Sequence, residues 1–319
     1  NDDDRVDGID KVTGRAKYTA DHMLENMAYA VFVTSTVAKG AIKSMLLHEA
    51  RNAPGVLDII YYQNCPPVPG YRPYAKDPAK KGFEWRGLKV FDNNLVYYYG
   101  QPIALVVATT WEKAVKAASL VKAEYITEAF ETDFETLRKN EKKLKPAGQY
   151  KRGEEDAWKN AEVSIEAEYF TPIETHNPIE LHATIAVWEG DDKLTVYDKS
   201  QGPKGTQSEL ARNFGLDEKN VRVITKFVGG AFGSALRSWP HVPAACIAAK
   251  VVKRPVKLVL NRRQMFTMVG YRPQSWQKIS IGATKEGKLT GITHHAISNT
   301  SRYEDFREGI VNAAQFLYE

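Results

Sequence analysis

Three stretches of the 319-residue chain carry residue types and spacings that could do chemistry. The first is "KFVGGAFGSALRSWP" at 226–240, where a β-like run over 221–228 meets three glycines within five residues. Glycine lets another backbone or a ligand approach closely. The helix expected from about Ser234 would present unpaired N–H groups and a partial positive charge. Such a loop can cradle a phosphate or pyrophosphate; taken alone, it also suits a plain tight turn. Gly229, Gly230 and Gly233 are not spaced as G-x-G-x-x-G, and no Gly-Lys-Ser/Thr follows. The second stretch ends in Gln201, an amide at a strand terminus that can both donate and accept hydrogen bonds. The third, "ETHNPIELHA", holds His176, Glu180 and His182. His176 and Glu180 would share a face only on a helix, and Pro178 argues against one. Zinc would need better ligand spacing, so these three are expected to make structural hydrogen bonds.

The elements that must position these residues fall into two regions. Residues 15–126 read as an α/β unit, expected to close locally. "VLDIIYY" (56–62) and "PIALVVA" (102–108) suit buried strands. Residues 110–122 suit a helix capped by Thr110, with Trp111, Ala114, Val115, Ala118 and Val121 at spacings of three and four. A strand follows at 123–127. From 162 the pattern changes. Val163, Ile165, Ala167 and Tyr169 alternate with polar residues. A hairpin is expected over 183–201, turning at Gly190-Asp191-Asp192, then a helix over 205–215 ended by Gly215. A helix near 240–252 and a strand in "RPVKLVLNR" come next, then a hairpin turning at Glu286-Gly287. The division expected is 1–135, a charged linker at 136–161, and 162–319.

Composition narrows the class. A chain of this length can bury a large core and hold two domains. Charged residues are 26% and the net charge is +5. The densest basic cluster, Lys139 to Lys145, lacks the interleaved aromatics of a nucleic-acid surface. Cys65 and Cys246 lie in dissimilar settings and are read as reduced, structural thiols. No run of 18 apolar residues suggests a membrane-spanning helix. The opening "NDDDRVDG" is no signal peptide, and its abrupt start suggests a trimmed N-terminus. A cytoplasmic and a periplasmic setting are both compatible.

Several segments together resemble one family. "RVDGIDKVTGRAKYTAD", "ARNAPGVLDII" and "GQPIALVVATTWEKAVKAASLVKAEY" resemble the entry segment and α/β hammerhead domain of the xanthine dehydrogenase/aldehyde oxidase large subunit. "TPIETHNPIELHATIAVWEGDDKLTVYDKSQGPKGTQSELA", "VRVITKFVGGAFG" and "KRPVKLVLNRRQMF" follow in family order and resemble the opening of its molybdopterin-binding region. The resemblance implies an α+β chain: a hammerhead domain, then an incomplete, mixed α/β cofactor-binding domain. It implies hydroxylation of an aldehyde or aromatic N-heterocycle with water as the oxygen source. Gly229, Gly230, Ala231, Phe232 and Gly233 would pack against the molybdopterin, with Phe232 beside the metal. Gln201 would hydrogen-bond an oxo group on molybdenum; no residue would ligate the metal directly. Many relatives carry glycine where Ala231 stands, so the loop is expected to be slightly reshaped.

The resemblance also implies what lies elsewhere. The family's catalytic glutamate falls beyond any match, so the base is expected outside this chain, and the isolated chain is expected to be inactive. The remaining half of the large subunit, a 2Fe–2S subunit and an FAD subunit are the implied partners, with neither nucleic acid nor membrane among them. The cofactor is molybdenum–molybdopterin, with the cytosine dinucleotide form a further expectation. Purine-oxidising members carry a glutamate shortly after the glycine loop, where Leu236 stands here. Arg237 and Arg272 are the candidates for lining the substrate funnel with it. Two other readings compete. A dinucleotide-binding module would put an acidic ribose anchor at the end of the next strand, but "VLNRR" is basic there. A non-catalytic scaffold would keep the fold without a cofactor.

Overall fold

The computed structural model describes residues 5–71, 87–140, 148–301 and the single positions 144, 146 and 303. Most of the basic cluster and the terminal "NAAQFLYE" lie outside the described residues. The chain is mixed α and β, and it divides into two compact units that interleave in sequence. The first is built from 1–129 with 176–270, the second from 130–175 with 271–319.

The first unit is centred on a seven-stranded sheet. Its strands in chain order are β1 (Ala28–Thr34), β3 (Val56–Tyr61), β5 (Pro102–Ala108), β8 (Ala183–Glu189), β9 (Lys193–Asp198), β10 (Val221–Ile224) and β11 (Val256–Val259). In space they run β10-β9-β8-β11-β1-β5-β3. "PIALVVA" is apolar throughout because every residue of β5 is buried. The expected local closure of 15–126 is not what forms. β1 pairs in parallel with β11, so Ala28 sits opposite Val256 across more than 200 residues. The strand expected at 123–127, β6 (Lys122–Thr127), joins another sheet with β2 (Gly40–Leu46) and β4 (Leu95–Val96).

Helices form at 111–120, 203–214 and 241–252, close to where they are expected. The apolar stripe expected in the first is not buried throughout: Trp111 and Val115 are exposed. In Trp111–Leu120 the Thr110 hydroxyl accepts from Lys113 N, and the buried positions are Ala114 and Ala117. Small residues there let the helix lie close on β1 and β5. Pro203–Phe214 ends at Gly215, whose φ of 68° needs glycine. His241–Val252 is buried from His241 through Ala249, which explains an apolar run with no polar face. No described helix is long and apolar enough to cross a membrane.

The second unit holds a three-stranded antiparallel sheet, ordered β13 (Leu289–Ser298), β12 (Ser275–Ala283), β7 (Val163–Thr171). The expected hairpin is β12–β13. The alternation in β7 also holds, since Ile165 registers with Ile281 and Ile281 with Ile292 on one face. Yet that apolar face is the open one among the described residues: Ile165 is 63% exposed. The opposite face is covered around Gly282 and Gly291 by the turn Ala157–Asn160, which reaches it because those two residues have no side chain. A methyl at Gly291 would lie 2.6 Å from Trp158 N.

Candidate functional site

The glycine loop leaves the sheet four residues earlier than the apolar pattern suggests. β10 ends at Ile224, and the Thr225 hydroxyl donates to Asp198 O at 2.6 Å. Gly229 then bonds outside the sheet, through its N–H to Glu180 Oε2 at 2.6 Å and its carbonyl to Glu180 N at 3.1 Å. Positive φ occurs at Gly230 (90°), Phe232 (56°) and Gly233 (98°), but not at Ala231. The methyl of Ala231 therefore sits on ordinary backbone and does not strain the loop. No helix starts at Ser234; the chain turns through 231–236 and becomes helical at His241.

The loop's N–H groups divide into bonded and unbonded donors. Gly229 N is taken by Glu180, and Gly233 N donates to Gln201 Oε1 at 3.1 Å. Ser234 N donates to Ala231 O at 3.0 Å and Ala235 N to Gln201 Oε1 at 3.2 Å. Gly230, Ala231 and Phe232 have no acceptor for their N–H groups among the described residues. Three consecutive donors without an acceptor, on backbone of alternating φ sign, are of the kind that can take an anion. Beside them the Phe232 ring is 74% exposed, and holding it there takes a left-handed backbone that ordinarily costs about 1–3 kcal/mol.

Gln201 stands just past β9 and is oriented by the loop. Its backbone N–H donates to Ala235 O at 2.8 Å, and its Oε1 accepts from two loop N–H groups. Two donors converging on one amide atom identify that atom as the oxygen. The Nε2 group is thereby left, without a partner among the described residues, as an outward donor.

The stretch 176–182 supports the loop from beneath. Residues 176, 178, 180 and 182 contact it along an irregular path, with Asn177 at φ of 38° and a bend at 179–180. His176 lies against Gly233, Pro178 against Gly230, and Glu180 against Gly229, while His182 Nε2 reaches Ser234 Oγ at 3.1 Å. Glu180 and His182 thus make the structural hydrogen bonds expected of them; His176 Nδ1 is buried without one. Burial pushes the Glu180 carboxyl up, against the opposing effect of the Gly229 N–H.

Below lies a buried polar cluster that residue spacing did not reveal. Asp198, Lys199, His182 and His241 are each at most 2% exposed. Asp198 Oδ1 accepts from Thr184 Oγ1 at 2.6 Å and lies 3.9 Å from His241 Nε2. Burial raises Asp198 to about 7 and lowers His241 to about 3 and His182 to about 2. Lys199, lowered by burial to about 8, donates to Glu180 O at 2.7 Å.

Leu236 and Arg237 follow the loop directly and are exposed, with Leu236 N bonded to Gly233 O at 3.3 Å. Arg272 belongs to the second unit, where its backbone exchanges hydrogen bonds with that of Glu174. Among the described residues no group of three or more His, Cys, Asp or Glu could hold a metal ion.

Known proteins resemble this chain along most of its length. Residues 135–319 match the molybdopterin cofactor-binding domain, and residues 13–129 match the aldehyde oxidase and xanthine dehydrogenase a/b hammerhead domain. The aldehyde oxidoreductase molybdenum-binding subunit PaoC of Escherichia coli K12 is 34% identical over 299 residues, covering 92% of this chain. The putative xanthine dehydrogenase molybdenum-binding subunit XdhA of the same organism is 30% identical, covering 97%. The chain spans only 39% of the first relative's length and 42% of the second's. The aldehyde oxidoreductase of Desulfovibrio desulfuricans superposes with a TM-score of 0.79 at 22% identity, over 95% of this chain and 35% of its own. The CO dehydrogenase of Oligotropha carboxidovorans gives 0.76 at 21%, over 92% and 39%. At those identities the likeness is one of fold.

Proposed function

The chain belongs to the molybdopterin-binding large-subunit family of the xanthine dehydrogenases and aldehyde oxidases, and we propose that it supplies one wall of the cofactor site of a molybdenum hydroxylase. The observation that carries this is the row of free N–H groups at Gly230, Ala231 and Phe232 next to an amide whose donor end points outward. That donor set suits an oxygen-rich, anionic group, and molybdenum–molybdopterin is one. When bound, the cofactor supplies oxygen transfer and two-electron uptake.

This chain's residues would hold and orient it. The three loop N–H groups would meet cofactor oxygens, Gln201 Nε2 would donate to an oxygen on the metal, and Phe232 would cover the site against water. Glu180 is assigned a structural role in this scheme, its Oε2 accepting from Gly229. We place the base outside these residues, and with it an iron–sulfur subunit, an FAD subunit and the cytosine dinucleotide form of the cofactor. Residues 1–135, 136–161 and 162–319 are proposed as hammerhead, linker and cofactor-binding segments. Molybdenum and pterin analysis of the full-length protein purified with its partners tests the proposal; a pure, folded protein lacking both refutes it.

Two outcomes refine the reading. Gln201→Ala removes the outward donor, about 1–2 kcal/mol, along with the acceptor of two loop N–H groups, so turnover per bound molybdenum should fall roughly 5- to 30-fold. Equal turnover would take Gln201 out of the site. Leu236, where an acidic residue would be needed to hold a purine, is exposed beside the loop. The enzyme should therefore turn over aromatic aldehydes or N-heterocycles faster than xanthine, and side-by-side assays giving the reverse order would contradict that assignment.

A further inference from the structure

The segment 176–182 lies directly against the glycine loop and meets it side chain by side chain. A methyl on Gly229 would fall 2.8 Å from Glu180 Cβ, one on Gly230 3.6 Å from Pro178 Cβ, and one on Gly233 3.6 Å from His176 Nε2. The segment is itself pinned from the far side. Arg262 donates to Asn177 Oδ1, Pro178 O and Ile179 O, at 3.0, 2.6 and 2.8 Å. Buried Lys199 donates to Glu180 O. A support fixed at four acceptors can in turn fix what rests on it.

It grips the loop at two points. At the entry Glu180 takes both backbone polar groups of Gly229, one by its carboxyl and one by its own N–H. At the exit the Ser234 hydroxyl donates to Ala231 O at 2.8 Å, so His182 Nε2, 3.1 Å away, must be the donor to Ser234 Oγ. His182 and Ser234 are buried, so water does not replace that bond when it is lost. The three free N–H groups lie between the two grips.

We infer that Glu180 and His182 are positioning residues, which hold Gly230, Ala231 and Phe232 in the conformation that leaves their N–H groups open to a ligand. The inference rests on the proposed cofactor role of the loop, but its geometric part stands apart from that role. Each residue acts through the loop, so removing either grip should loosen bonds at the other end.

Amide exchange in the cofactor-free, full-length protein reads this directly. Glu180→Ala is expected to speed exchange at Gly233, Ser234 and Ala235 about tenfold or more, the scale of one lost hydrogen bond. None of those three amides is bonded to Glu180. Glu180→Gln keeps an acceptor in place and should return exchange to within about threefold of wild type. His182→Phe should accelerate exchange at Gly229, the far end of the loop. Strands β8 and β9 should exchange as in wild type in all three variants. In the loaded protein, molybdenum and pterin should fall in the alanine variant and recover in the glutamine variant. A change confined to Gly229 in Glu180→Ala would overturn the inference. So would equal loosening of β8 and β9, which assigns Glu180 to general stability, or failure of glutamine to rescue. A wild-type protein that never binds molybdenum would instead refute the proposed function, and the exchange comparison would still decide the positioning role.

Discussion

Gly230→Val is expected to strip the cofactor from the full-length protein while its sheets stay folded. The backbone at Gly230 has φ of 90°, where a β-branched residue is a genuine outlier. A Cβ there would sit 3.4 Å from the Phe232 ring and 3.6 Å from Pro178 Cβ, so valine's two methyls must enter one or the other. Pro178 cannot retreat easily, because Arg262 holds its carbonyl at 2.6 Å. Backbone strain of about 1–3 kcal/mol and overpacking of about 1–3 kcal/mol act on a loop free to relieve both by changing shape. The relaxed loop no longer lines up its three donors, and retention should drop by about 100-fold or more. Gly230→Ala carries the backbone cost with little crowding and should fall in between. Molybdenum and pterin content, with circular dichroism to confirm the fold, measures it. A valine variant with wild-type cofactor content would remove this loop from the site.

The loop also shows where residue patterns inform and where they stop. Gly229, Gly230 and Gly233 are legible as a close approach because only glycine tolerates the required φ or the neighbour at 2.8 Å. Which N–H groups remain free was not legible, since their internal partners, Glu180 and Gln201, lie 49 and 32 residues away. The same separation hid β1. "AYAVFVT" has no partner near it in sequence, and its parallel neighbour β11 begins at Val256. The hairpins at 183–198 and 275–298 were visible because turn and register are local. In β7 the alternation found the strand but not its covered side. Apolar residues mark a face, and coverage depends on Trp158 lodging against Gly282 and Gly291 on the other. Resemblance supplied what pattern could not, by linking distant segments in one order.

Stability should peak near neutrality and fall on both sides for reasons seated in the buried cluster below the loop. His182 and His241, held by burial at about 2 and about 3, are neutral in the folded chain. Unfolded, each takes up a proton below its ordinary value of 6.5. Their folded pKa values are depressed, so the stability they confer is present above 6.5 and lost as pH falls towards 3. Asp198 works in the opposite sense. Its folded value is raised from 3.8 to about 7, chiefly by burial, so its contribution is complete below 3.8 and lost as pH rises through 7. A displacement of about three pH decades corresponds to roughly 4 kcal/mol. Two histidines outweigh one aspartate on the acid side, whereas Asp198 alone acts between 6.5 and 7. Lys199, the cation of the cluster, titrates near 8 and so sharpens nothing below that. Asp198→Asn keeps the acceptor for Thr184 Oγ1 and removes the carboxylate charge buried 3.9 Å from His241 Nε2. It should raise stability at pH 8 by up to about 4 kcal/mol and steepen the acid limb between 3.8 and 6.5, where Asp198 offsets one histidine. His241→Phe removes two buried, unpartnered nitrogens and should flatten the acid limb between 3 and 6.5 at little cost near pH 7. Denaturation midpoints from pH 4 to 8.5, followed through amide exchange of β8 and β9, separate the two limbs. If Asp198→Asn tracks the wild type across the whole range, the aspartate is not the group that weakens the folded chain above neutrality.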